Sequence, residues 1–324
     1  MELAIETSNL TKRYGALTAV NKLNLKVQRG SIHGFLGPNG AGKTTTIKIL
    51  VGLLKPDEGN VKVLGQVLHG KNGFLQSFYE QADMRLGIGY VPELPRFPKH
   101  LKGWELLDIY GRMYGMTEQQ RKEQVPKLIE MVGLKGREND LIGKYSKGMQ
   151  QRIGIAQALL NNPDLIILDE PSLGLDPMGM VEVRELVKNV AREGMTVFVS
   201  SHLLFEVEQI CTYVTIINRG TALISDSLPN VSAMLSGPAL LHVEVAKISR
   251  NVVSAVKSLP FVTSVAQTGS TLRIQISTRE DVRVQVSQEI TSAGGIIVGM
   301  SQKTSNLEDV FIQLISKDQG GKPR

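Results

Sequence analysis

The stretch "GPNGAGKTT", Gly37 to Thr45, sets Gly37, Gly42, Lys43 and Thr44 at the offsets of a phosphate-binding loop. Its glycines, Gly40 among them, let the backbone curl so that N–H groups along Pro38, Asn39, Ala41 and Thr45 converge on phosphate oxygens. The start of the helix that follows adds positive potential. Lys43 is then the cation for the outer phosphates, and the Thr44 hydroxyl is a ligand for Mg²⁺. A second stretch, "LIILDEP", ends a buried strand on Asp169 and Glu170. Asp169 reads as a direct or water-mediated holder of Mg²⁺, and Glu170 as the carboxylate that orients and deprotonates an attacking water. A third, "VFVSSH", places His202 just past another buried strand, where a polar side chain faces the strand-end crevice and senses a γ-phosphate. His33, His69, His100 and His242 show no metal-ligand spacing, so no zinc site is expected.

These groups need a sheet to carry them. "LNLKV" and "IHGFLG" read as strands ahead of the glycine turn, and "KTTTIKILVGLL" as a helix closed by "KPDEG". "LGIGYV" is a further strand. Pro92, Pro95 and Pro98 then interrupt the chain, and helices follow over about 103–114 and 117–132. "MQQRIGIAQALLNN" is helical, while "LIILD" and "TVFVS" are the short apolar runs of strands covered on both faces. From Leu240 the order changes to strand, helix, two strands, helix, strand, the pattern of a small α+β ferredoxin-like domain. The expected layout is an α/β domain over 1–227 with a helical subdomain near 95–160, a linker at 228–239, an accessory domain at 240–316 and a frayed tail at 317–324.

With 324 residues, 42% of them apolar, the chain can bury more than one core. The net charge of +6 permits anionic partners, but it divides evenly about Pro238 and leaves no basic block, so no nucleic acid is expected. A single cysteine, Cys211, excludes an intrachain disulfide framework and fits a reducing compartment such as the cytoplasm. "MELAIETSNL" is too polar for a signal peptide, and nowhere do eighteen apolar residues run together, so a membrane role must come through a partner.

In order and spacing, "GPNGAGKTT", "YSKGMQQR", "LIILDEP", "SLGLD" and "SSH" closely resemble the ATP-binding subunits of ATP-binding-cassette (ABC) transporters, in particular the separately encoded subunits of the export type. The resemblance covers nearly the whole chain. It implies the P-loop ABC ATPase fold, with ATP and Mg²⁺ as cofactors, a homodimer, and an integral membrane permease that holds the subunit at the cytoplasmic face. By the same resemblance Ser146, Lys147 and Gly148 form the signature loop, which contacts the γ-phosphate of ATP held by the other copy; Tyr14 stacks on adenine; and Asp176 couples the two sites. The serine hydroxyl and amides at the start of a helix also make an anion site the chain's own phosphate loop does not need, with simple helix capping as the alternative.

Two motifs depart from the family pattern. Tyr145, Lys147 and Met149 replace the usual first, third and fifth signature residues, and Glu93 stands where the lid-like loop usually has glutamine, leaving a carboxylate that can still reach Mg²⁺ or its water. The helical insert of about 95–145 is implied to dock on the membrane subunit, with Trp104, Tyr110, Met113 and Tyr114 either in its exposed face or in its core. The rival reading is a soluble ABC-type ATPase of translation or nucleic-acid repair; the second cassette or long coiled coil typical of those proteins is not visible.

Overall fold

The computed structural model describes residues 2–69, 87–235, 239–278 and 280–303. The chain divides into two compact units, Met1–Leu228 and Pro229–Arg324.

The first unit opens with the long strands β1 (Leu3–Tyr14), whose register shifts bury Ala4 with Ile5 and Leu10 with Thr11, and β2 (Leu17–Gln28), which turns Leu23, Leu25 and Val27 to the core. β3 (Ile32–Leu36), buried along its whole length, runs into the glycine turn and α1 (Lys43–Leu50). β4 (Glu58–Val63) and β5 (Gln66–His69) complete an antiparallel sheet in the order β2-β1-β4-β5. After β6 (Ile88–Val91) come the helices α2 (Gly103–Met113), α3 (Glu118–Met131) and α4 (Lys147–Leu159). Then β7 (Leu165–Asp169), α5 (Pro177–Arg192), β8 (Thr196–Ser201), α6 (Leu204–Ile210), β9 (Tyr213–Asn218) and β10 (Thr221–Ser227) finish the unit.

The second sheet has the order β10-β9-β3-β8-β7-β6, parallel except for the β9–β10 hairpin. Because β3, β7 and β8 lie side by side and parallel, their C-terminal ends open on one edge. That edge receives the phosphate loop from β3, Asp169 and Glu170 from β7 and His202 from β8. A core of Phe35, Ile47, Leu50, Ile167 and Phe198 joins α1 to both sheets, with Ile5, Leu25 and Val63 on the antiparallel side.

At the boundary between the units, residues expected to be linker form α7 (Leu228–Leu235), and in the second unit β11 (Ala239–Val245) begins directly at the end of that stretch. Pro229 is tolerated in a first helical turn, and Val231 is fully buried, which fixes the helix despite its linker-like composition. α8 (Arg250–Lys257), β12 (Val262–Thr268), β13 (Thr271–Ile276), α9 (Arg283–Ser292) and β14 (Ile297–Lys303) follow. Their antiparallel sheet, β12-β13-β11-β14, has the interleaved order of a ferredoxin-like fold, and Val252, Val256, Val286 and Ile290 turn the helices onto it. The expected frayed tail at 317–324 lies outside the described residues.

Candidate active site

A crevice of about 760 Å³ lies along the sheet edge, lined by Tyr14, Leu17 to Ala19, the phosphate loop, Glu170 and His202. Gly40 and Gly42 both have positive φ, at 79° and 105°, and a Cβ on Gly42 would strike the Ala19 carbonyl oxygen. Only glycine lets the loop pass that close to β2. Gly37 is equally confined, between Ile217 and Ala41.

Lys43 is 6% exposed; its ammonium donates to the carbonyl oxygens of Gly37 at 2.7 Å and Pro38 at 3.2 Å, and pairs with Glu170 Oε1 at 3.0 Å. That last contact is an ion pair without hydrogen-bond alignment, since Oε1 has no hydrogen-bond partner. The other oxygen, Oε2, accepts from His202 Nδ1 at 2.8 Å and from the His202 backbone N–H at 3.3 Å. A carboxylate can only accept, so Nδ1 carries the proton. Glu170 itself has φ +49, a left-handed conformation that glycine usually supplies and a glutamate rarely adopts.

Asp169 is buried beside it and accepts from Ser200 Oγ at 2.7 Å. Burial pushes its carboxyl above the ordinary carboxylate range and the Glu170 charge adds to this, while hydrogen bonds from Ser200 and Thr44 and the charge of Lys43 oppose it. Tyr90, on β6, is raised to about 12, first by burial and then by the charges of Asp169 and Glu93. The Thr44 hydroxyl and Asp169 touch, and Glu93 lines the same space. Among the described residues no group of three or more His, Cys, Asp or Glu forms a closed metal cage. A donor set of one hydroxyl and one or two carboxylates suits Mg²⁺, which takes its remaining ligands from phosphate and water.

Pro38, Asn39, Gly40, Gly42, Lys43, Thr44 and Thr45 line the crevice together with Tyr14, which is half exposed. Ala41 is buried behind the loop and accepts from the Gly220 N–H at 2.9 Å. Ser146, Lys147, Gly148 and Asp176 are not among the lining residues. Ser146 caps α4, its Oγ accepting from Met149 N–H at 3.2 Å, and Asp176 caps α5, accepting from Gly179 N–H at 3.0 Å. The Lys147 ammonium lies over Gly174, where a side chain would collide with it. Gly148 is different: a Cβ there would meet nothing nearer than Ser146 Oγ at 4.0 Å. Among the described residues nothing packs closely enough to require that glycine. Of the aromatic and methionine residues of the helical insert, Trp104 (39%) and Met113 (74%) are exposed, whereas Tyr114 is half buried and its hydroxyl accepts from Gln157.

Arg219 and Leu173 also line the crevice without having been anticipated. Arg219 and Gly220 are the central residues of the β9–β10 hairpin, both with positive φ, so arginine occupies a turn position that favours Asn, Asp or Gly. The "NRGT" turn was the available signal.

Comparison with known proteins agrees with this geometry. Residues 20–173 match the family model described as ABC transporter. The chain is 34% identical over 316 residues to the linearmycin resistance ATP-binding protein LnrL of Bacillus subtilis, covering 97% of this chain and 98% of that protein. It is 42% identical over 224 residues to the bacitracin transport ATP-binding protein BcrA of Bacillus licheniformis, covering 69% of each. Among solved structures, an ATP-binding subunit of an ABC transporter is 30% identical with a TM-score of 0.62, covering 72% of this chain and 93% of the other. The ATP-binding cassette MJ0796, as a dimer in a post-hydrolysis state bound to ADP and Pi, is 26% identical with a TM-score of 0.62, covering 69% and 98%. The chain belongs to the family of ABC transporter ATP-binding proteins and is an ATPase.

Proposed function

We propose that two copies of this chain clamp ATP between the phosphate loop of one and the signature loop, Ser146 to Gly148, of the other, and that closing and reopening drive a separate integral membrane permease of the export type. The observation that carries this reading is Gly148, a glycine in open space beside the Ser146 hydroxyl at the N-terminus of α4. Bare backbone with a hydroxyl and free amides suits an anion brought by another molecule. MJ0796 is itself a dimer. The exposed Trp104 and Met113 suit docking of the helical insert on the permease, which would hold the chain at the cytoplasmic face of the membrane. Among the described residues no helix is long and apolar enough to cross a bilayer. Relatives whose names speak of bacitracin transport and linearmycin resistance support export over a role in translation or repair.

In the crevice, Tyr14 receives the base and the loop amides and Lys43 receive the outer phosphates. An arriving γ-phosphate competes with Glu170 for the Lys43 ammonium. The Oε1 oxygen of Glu170 is then released to accept a proton from water, while His202 keeps Oε2 and so keeps the carboxylate aimed. Thr44 and Asp169, with Glu93 at the rim, would hold Mg²⁺, which when bound supplies neutralisation of phosphate charge. Asp176, anchored at the cap of α5, relays the state of one site to the other copy.

Glu170→Gln is the test. It keeps the shape of the site, and turnover should fall by roughly 100-fold or more while ATP converts the protein to a dimer by light scattering. Adding Ser146→Ala should abolish that dimer. Parental turnover in Glu170→Gln would remove the base, and an ATP-independent monomer would remove the clamp.

A further inference from the structure

Glu170 does its work from a backbone conformation that its residue type disfavours, and the surroundings must hold it there. β7 ends at Asp169, so the Glu170 N–H leaves the parallel ladder and needs a partner elsewhere. Ser200 supplies it. Ser200 is paired with Asp169 across the ladder and is fully buried, and its Oγ accepts from the Glu170 N–H at 2.9 Å while its O–H donates to Asp169 Oδ1 at 2.7 Å. One hydroxyl thus uses both its capacities on two consecutive acidic residues, leaving the Glu170 carbonyl to receive the Leu173 N–H at 3.0 Å and start the following turn. Two residues further along the same strand end, His202 grips the Glu170 side chain. The main chain and the carboxylate of Glu170 are therefore tied to the same edge of β8.

We propose that Ser200 is a positioning residue for hydrolysis, fixing the left-handed turn at Glu170 and the angle of Asp169 so that the Glu170 carboxylate faces the phosphate end of the crevice. The inference rests on Glu170 as the base. Without the hydroxyl, Glu170 N–H and Asp169 Oδ1 lose a common partner and the turn is free to relax toward negative φ, which swings the carboxylate off its line. The Ser200 hydroxyl bonds to Glu170 and Asp169 and not to the phosphate loop, and Asp169 keeps its contact with Thr44, so nucleotide binding should survive.

The experiment is a double-mutant cycle of Ser200→Ala and Glu170→Gln, with turnover counted per nucleotide-binding molecule. Ser200→Ala alone should lower kcat by ~10- to 100-fold with the KM for ATP within about twofold, as small misplacements of reacting groups do. In the Glu170→Gln background the same change should alter residual turnover by less than about twofold, because Ser200 acts through Glu170. Should Ser200→Ala fold poorly, Ser200→Cys, of similar size with a weaker donor, carries the same cycle. Parental kcat in Ser200→Ala, or an equal loss in both backgrounds, would overturn the assignment and leave Ser200 a packing residue. Parental turnover in Glu170→Gln would instead overturn the base reading, so the two failures are told apart.

Discussion

Acidification should destabilise the nucleotide-binding unit from within, through His33. Its ring is 1% exposed on β3, the strand that delivers the phosphate loop, and stacks against Phe198 at 5.8 Å and Tyr213 at 6.4 Å. Nε2 bonds to Thr215 Oγ1 at 2.8 Å, and Nδ1 is buried without a hydrogen-bond partner. A lone pair is less costly to leave unpaired than an N–H, so the proton of the neutral ring sits on Nε2 and donates to Thr215. Protonating Nδ1 would bury a cation with no counter-charge, and burial accordingly lowers the pKa from 6.5 to about 4. The folded pKa lies below the unfolded one, so this contribution is complete above about 6.5 and is lost as pH falls from there toward 4. The gap corresponds to roughly 3 kcal/mol in all, of which about 2 kcal/mol is gone by pH 5, a large share of an ordinary domain's stability. Urea unfolding followed by Trp104, the one tryptophan and a member of the same unit, reads the effect at pH 7.5 and pH 5. His33→Phe keeps the ring stack and cannot be protonated, and Thr215 keeps its bond to Ser225 at 2.7 Å. The variant should lose about 2 kcal/mol less than the parent between the two pH values. An equal loss in both proteins would refute the reasoning.

Arg219→Asn replaces a strained turn residue with one suited to positive φ, so it should raise the thermal midpoint slightly while weakening ATP binding several-fold in a fluorescence titration; unchanged affinity would show that the guanidinium does not reach the nucleotide. Gly89→Ala would drive a methyl into the Ala158 carbonyl oxygen where β6 meets α4, and a loss of about 1–3 kcal/mol is expected from chemical denaturation. Parental stability there would mean that the helix shifts without cost.

The chemical groups were readable because their patterns are local. "GPNGAGKTT" states its own turn, and "LIILD" and "TVFVS" announce strands covered on both faces. What the sequence could not disclose lies across the sheet. Ser200 is thirty residues from Glu170, and only the pairing of β7 with β8 brings their atoms within 2.9 Å. The left-handed backbone of Glu170 has no signature in its residue type. Arg219 escaped for a related reason, since the hairpin that presents it is ordinary until Gly220 is seen bracing the phosphate loop through Ala41. The stretch 228–235 reads as a spacer through its Pro, Asn and Ser, whereas the structure holds it as a helix with Val231 buried.

Because Lys43 already has a carboxylate beside it, the crevice is a balanced pair awaiting exchange, not an open positive hole. Any visitor must out-bid Glu170 for one ammonium, and a monophosphate, with about −1.5 to −2 of charge on a single group, brings much less to the loop than a triphosphate does. The resting contact is thus expected to act as a charge threshold that turns away AMP and stray inorganic phosphate, and AMP competing with ATP at comparable concentration would show the threshold to be absent.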